Sequence, residues 1–196
     1  MNGLSDDLLA AVTPVVEELE RLGVRYYVGG SAASSNYGIA RATLDVDLVA
    51  DLSQQHVVAL VEGLKADYYV DARMISDAIL RQSCFNVIHM PTSFKVDVFV
   101  VKNRRYDRVA LQRIRKDSLD AEYPSKEFFQ ASPEDIILSK LEWYRLGDQV
   151  SDSQWRDVIG VLKIQHDALD RPYLEKWAAE LRVADLLEQA WKEAAA

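Results

Sequence analysis

From Arg41 to Leu48 every odd-numbered residue is polar and every even-numbered residue apolar. Side chains of an extended strand point alternately to its two faces, so this period of two predicts a strand with one buried and one polar side. Leu44, Val46 and Leu48 then enter a core, while Arg41, Thr43, Asp45 and Asp47 share the opposite face. Two carboxylates are thereby set side by side on a rigid element. At that spacing like charges repel, and one pKa rises unless a cation or hydrogen bonds compensate, as a bound Mg²⁺ does directly. Taken alone, an Asp-x-Asp is more often a solvated strand face or a turn than a metal site.

A second segment changes the weight of the first. Phe94 to Val100 reads as the most hydrophobic strand of the chain, with Asp97 near its middle. Aspartate is disfavoured in strands and costly to bury unpaired, so an acid there requires a partner. With Asp45 and Asp47 on a neighbouring strand, three carboxylates would hold one or two divalent ions, which take oxygen ligands and keep positions open for phosphates. Gly29-Gly30-Ser31 complements them. Glycines after a strand let the backbone approach a ligand, and the helix that follows offers free N–H groups to an anion. A purely structural turn accounts for the two glycines equally well. The spacing fits neither a dinucleotide fingerprint, which needs a third glycine, nor a serine-hydrolase elbow, since Ser31 is followed by Ala32 and Ala33.

The rest of the chain supplies a scaffold for these residues. Leu8 to Leu22 has helical spacing and stops at Gly23, Val24 to Val28 reads as a strand, and Ala32 to Tyr37 as a short helix. Gln54 to Leu64 and Arg73 to Leu80 look helical, and Asp67 to Val70 and Phe85 to Met90 extended. The stretch from Tyr106 to Ser118 fits helix and strand equally. Ser132-Pro133-Glu134-Asp135 starts a helix strongly, with a capping serine, a proline in the first position and acids in the first turn. Ile136 to Leu146, Ser153 to Gln165, Pro172 to Leu181 and Ala184 to Lys192 follow as helices. The expectation is an α+β fold: a mixed β-sheet flanked by helices over residues 1–131, with a helical C-terminal subdomain over 132–196 packed on it.

Gly-Gly-Ser after a strand, thirteen residues, Asp45-Val46-Asp47 on a strand and then a third strand aspartate resemble the DNA polymerase beta-like nucleotidyltransferase superfamily. The likeness is tight over Val24 to Val101. It is looser from Ser132 to Lys163, where Glu134-Asp135-Ile136-Ile137 with Lys140-Leu141 is similar to small bacterial members, including AbiEii-type toxins and minimal nucleotidyltransferases. The resemblance implies a Mg²⁺-dependent enzyme, with Mn²⁺ as the substitute metal, that moves a nucleoside monophosphate from an NTP such as ATP onto an acceptor hydroxyl. It places Asp45, Asp47 and Asp97 on the metals and in catalysis, and Gly29, Gly30 and Ser31 on the triphosphate. The acceptor would be tRNA, a protein or a small molecule. A second class stays open, that of a non-catalytic antitoxin-like partner in a toxin-antitoxin pair, and a third is a degenerate enzyme that senses nucleotides.

Arg41 and Thr43 share the acidic face and are read as phosphate contacts, although Arg41 would equally serve to neutralise the aspartates. Lys140, with its stem across an apolar helix face, is a nucleotide-binding lysine or an ordinary snorkelling one. For Arg156 and Asp157 a local ion pair is the default. Trp143, Trp155, Trp177 and Trp191 are read as packing residues. A single cysteine, Cys84, excludes an internal disulfide and a thiolate metal site, and three scattered histidines show no ligand pair. The absence of a signal sequence and of any long apolar run leads to the expectation of a cytoplasmic protein without a membrane partner. The net charge of −8 argues against non-specific nucleic-acid binding. Yet Lys102 to Lys116 carries seven basic residues against Asp107 alone, either a polyanion contact or a solvated surface.

Overall fold

A computed structural model of the protein describes residues 6–39, 45–118 and 126–195. The alternating and the hydrophobic segments become strands β2 (Asp45–Ala50) and β5 (Lys95–Val100). They lie side by side and parallel, with Val46 opposite Val96 and Leu48 opposite Val98. All four of these side chains are at most 1% exposed, so the even-numbered positions form the core face that the period of two requires. The apolar face is covered by α1 (Asp6–Arg21), α3 (Val57–Leu64) and α4 (Ala72–Arg81). Helix α1 turns Leu8, Val12, Val15, Val16 and Leu19 inward at the spacing that one helix face demands.

The remaining strands are β1 (Tyr26–Val28), β3 (Tyr68–Tyr69), β4 (Cys84–His89), β6 (Arg115–Ser118) and β7 (Glu127–Gln130). Among the described residues they join β2 and β5 in one seven-stranded sheet of order β3-β4-β5-β2-β1-β7-β6. The sheet is mixed: β2 with β5 and β1 with β7 are parallel, and the other neighbours antiparallel. The α+β architecture is thus the one expected. The segment that fits helix and strand equally is both, an α5 (Arg105–Ala110) and then β6. Strand β7 carries no sequence signal of its own. Four residues are too short for periodicity, and Glu127–Gln130 is extended because it pairs β6 on one side and β1 on the other.

Helix α2 (Gly30–Tyr37) follows β1, and the C-terminal part contributes α6 (Pro133–Leu146), α7 (Asp152–Gln165), α8 (Arg171–Glu180) and α9 (Ala184–Ala194). One continuous core cluster runs from Leu8 through Val98 to Ala190, so the C-terminal helices share the apolar interior of the sheet. Among the described residues no helix is long and apolar enough to cross a membrane.

The start of α6 fastens these helices to the sheet. The Ser132 hydroxyl accepts the Asp135 N–H at 3.2 Å and donates to the Asp135 carboxylate at 2.7 Å. That carboxylate also accepts the Tyr173 hydroxyl at 2.7 Å, and Glu134 accepts both Arg113 and the Asp170 N–H at 3.0 Å. Ser132→Ala removes a helix cap and one partner of a buried carboxylate, and is expected to cost about 1–2 kcal/mol in urea unfolding. An unfolding midpoint unchanged from wild type would show that the cap contributes nothing.

Candidate active site

Parallel pairing places Asp47 of β2 directly opposite Asp97 of β5, and Asp45 opposite Lys95. Neighbouring strands are about 4.8 Å apart, and all three aspartates occupy odd positions, so they stand on one face of the sheet. The third acid faces the same side as the first two. On the other side of Asp97 the register sets Asn86 of β4.

The turn after β1 closes over this face. The Gly29 N–H donates to the Asp47 carbonyl at 2.9 Å, which ties the turn to β2. Gly30 begins α2 with φ of +55°, a conformation that disfavours side chains. A Cβ built there would lie 1.7 Å from Oδ2 of Asp47. The carboxylate therefore rests against the bare Cα at the helix N-terminus, which only glycine permits. Ser31 follows in the first turn and is partly exposed, with its carbonyl accepting the Ser34 hydroxyl at 3.1 Å. Gly29 is buried and has an extended φ of −119°.

Charge crowding shows at Asp47. Burial, then the neighbouring Asp45 and Asp97 carboxylates, push its pKa up to about 6, against the pull of Lys140 and Lys95. The Lys95 ammonium bonds Asp97 Oδ2 at 2.6 Å. Among the described residues no three Asp, Glu, His or Cys side chains converge closely enough to chelate an ion as they stand. The donor set nonetheless suits a hard divalent cation: three carboxylates on one face, and a crowded acid whose charge a shared cation would restore. Lys95 holds one of them in a cation's stead. It was missed in the sequence, where its place two residues before Asp97, on the same strand face, was the available signal.

Lys140 is not the snorkelling lysine that one sequence reading allowed. It is only 2% exposed, so it does not snorkel to solvent. Its ammonium donates to Asp157 at 2.8 Å and to Gln154 at 3.1 Å, across α6 and α7. The default pairing of Arg156 with Asp157 is thereby replaced: Arg156 instead bonds the Asp152 carbonyl at 3.3 Å. The physical reason is burial, since an interior carboxylate takes the cation that is interior with it. Arg41 and Thr43 lie outside the described residues.

Among the described residues, two of the seven cations of the basic segment are paired with carboxylates. Arg104 pairs with Asp107 and Glu142, and Arg113 pairs with Glu134 while stacking 3.9 Å over the Tyr173 ring. These arginines anchor the C-terminal helices. Of the tryptophans, Trp177 is a core residue at 1% exposure, but Trp143 is 50% exposed with its ring 5.8 Å from Phe99. Phe99 lies two residues beyond Asp97 on the same strand face, so Trp143 borders the acidic surface.

No protein-family model and no curated relative matches the chain. Solved structures do resemble it. ANT(2")-Ia in complex with adenylyl-2"-tobramycin aligns with a TM-score of 0.58 at 11% identity, over 89% of this chain and 96% of that one. The solution structure of the same antibiotic-resistance factor gives 0.53 at 12% identity, over 92% and 94%. An antigenic nucleotidyltransferase-like protein from Paracoccidioides brasiliensis gives 0.54 at 19% identity, over 97% and 94%. At these identities the likeness is one of fold.

Proposed function

We propose that this chain, which has the nucleotidyltransferase fold, transfers a nucleoside monophosphate from an NTP to an acceptor hydroxyl. The single observation that carries this reading is the Asp47–Asp97 pair flanked by Asp45, with the Asp47 carboxylate seated on Gly30 at the start of α2. In this reading Asp45, Asp47 and Asp97 hold Mg²⁺ or Mn²⁺. A metal bound there would polarise the α-phosphate and stabilise the entering and leaving oxygens.

The chain's own residues supply position and charge. Gly30 and Ser31 present backbone N–H groups to the triphosphate from the turn that the Gly29 N–H ties to β2, and a side chain at Gly30 would close that approach. Asp97 takes the proton of the attacking hydroxyl once Lys95 has moved off it. The hydroxyl oxygen forms the new bond to the α-phosphorus as the bond to pyrophosphate breaks. Lys140 lends positive potential beside Asp47 from its buried place, and Arg41 and Thr43 add positive or hydrogen-bonding contacts to the phosphates. The fold neighbour that holds adenylyl-2"-tobramycin supports a small-molecule hydroxyl as acceptor. Neutralisation of Arg104 and Arg113 weakens the case for tRNA. A place among AbiEii-type toxins, with a neighbour-encoded partner, remains a finer proposal, addressed by pull-down of that partner.

The test is transfer of label from radiolabelled NTPs, with Mg²⁺ and a cell extract, by wild type and by Asp45→Asn. Label is expected on an acceptor with wild type only; equal labelling, or none from wild type, removes the reading. Gly30→Ala is a sharper probe of geometry. It forces Asp47 aside by about an ångström or more, and such a displacement costs transfer roughly 100-fold with the fold retained by circular dichroism. Full activity in that variant would mean that Asp47 need not sit where it does.

The Lys95–Asp97 bond supports a second reading, in which the site binds nucleotides without turning them over. Equilibrium binding of NTP, with no label transferred by wild type or by Lys95→Ala, would favour it.

A further inference from the structure

A cavity of about 500 Å³ opens off the carboxyl ends of the parallel strands β2 and β5, where Asp51 and Lys102 leave the sheet. Ligands of open α/β sheets settle in such crevices, and the size suits a molecule as large as a mononucleotide. It is separate from the acidic face. Asp51 lies four residues beyond Asp47, about 13 Å along an extended strand.

Three cations, Arg25, Lys102 and Arg108, face one carboxylate, Asp51, around this cavity. Only Arg25 is neutralised by it, at 3.2 Å. Lys102 forms no salt bridge among the described residues. The Arg108 guanidinium is held by the neutral side-chain oxygen of Asn103, so it is oriented and keeps its charge. Asn103 is itself fixed: its N–H donates to the Gln82 side chain at 3.0 Å, and Gln82 is the left-handed residue that ends α4. The wall is thus pre-organised, which lowers the ordering cost of binding. Beneath the charges, Leu52, Val100 and Leu111 are buried and offer an apolar floor.

We propose that this cavity is a second, non-catalytic site that binds a small organic phosphate monoester, its phosphate between Lys102 and Arg108 and its organic part on the apolar floor. A guanidinium fork with an adjacent ammonium matches a phosphate dianion, and the floor explains why an organic ester would exceed inorganic phosphate in affinity. The basic stretch seen in the sequence divides accordingly. Arg104 and Arg113 serve packing, and Lys102 and Arg108 face the cavity.

Backbone amide NMR of the full chain in EDTA, titrated with AMP, inorganic phosphate and adenosine, tests this. AMP is expected to shift the Gln82, Lys102 and Asn103 resonances saturably, phosphate the same ones more weakly, and adenosine none. The double variant Lys102→Gln/Arg108→Gln, both exposed or partly exposed positions, should keep the wild-type spectrum elsewhere and bind AMP at least about tenfold more weakly. Asp47→Asn should leave the shifts unchanged, so the result is independent of nucleotidyl transfer. Equal shifts with adenosine, undiminished binding by the double variant, or AMP shifts confined to Gly30 and Asp47 would each overturn the assignment.

Discussion

Asp47→Asn is expected to give a protein that is more stable than wild type at neutral pH and inactive in transfer. Burial and the adjacent Asp45 and Asp97 carboxylates hold the folded Asp47 at about 6, against an ordinary value of 3.8. A raised carboxylate pKa means that the folded state binds the proton more tightly than the unfolded chain. The stabilisation from that proton is fully present below pH about 4 and is lost as pH rises through about 6. At pH 7.5 the charged side chain therefore costs on the order of 2 kcal/mol, discounted for its partial contact with solvent. Asparagine keeps the shape and removes the charge.

Urea unfolding should show that gain at pH 7.5 and almost none at pH 4. Millimolar Mg²⁺ should raise the melting temperature of wild type and leave the asparagine variant unmoved. Transfer should fall on the order of 1000-fold, because a group that positions charge in the transition state is gone. A variant that is less stable than wild type at pH 7.5 would show that Asp47 is held by attraction, and the crowded-carboxylate account would fail.

Lys140→Met should destabilise the protein by about 3–5 kcal/mol, the usual penalty for stripping the cation from a buried pair. The side chains of Lys140 and Asp157 are only 3% and 6% exposed, so water cannot replace the lost partner. The double variant Lys140→Met/Asp157→Leu is expected to recover most of that loss, since two apolar groups of similar size leave no stranded charge. It should not recover activity, because the positive potential that Lys140 lends to Asp47 is absent in both variants. Chemical denaturation of the three proteins separates the two roles. Equal stability of the single and double variants would mean that the pair is not coupled.

Much of this was legible along the chain because it is local. The alternation around Asp45 and Asp47 sets which side chains share a strand face. The cap at Ser132 sets where α6 starts, and the helical spacing of Leu8 to Leu22 sets the inward side of α1. Each depends on neighbours within a few residues, where backbone geometry leaves little choice. The gathering of three acids on one face was likewise readable, since the period of two assigns Asp97 to a face once its strand is recognised.

Register and partnership were not legible, for they are settled between segments distant in sequence. That Asp97 sits opposite Asp47 and not two residues along is decided by how β5 pairs with β2. Strand β7 exists because β6 and β1 flank it, and Lys140 chooses Asp157 over solvent because two helices bury both. Local residue order thus determined the elements and their faces, through steric limits on each short stretch. Tertiary packing alone decided which charges meet, because the cost of burying a charge depends on what long-range contact brings beside it.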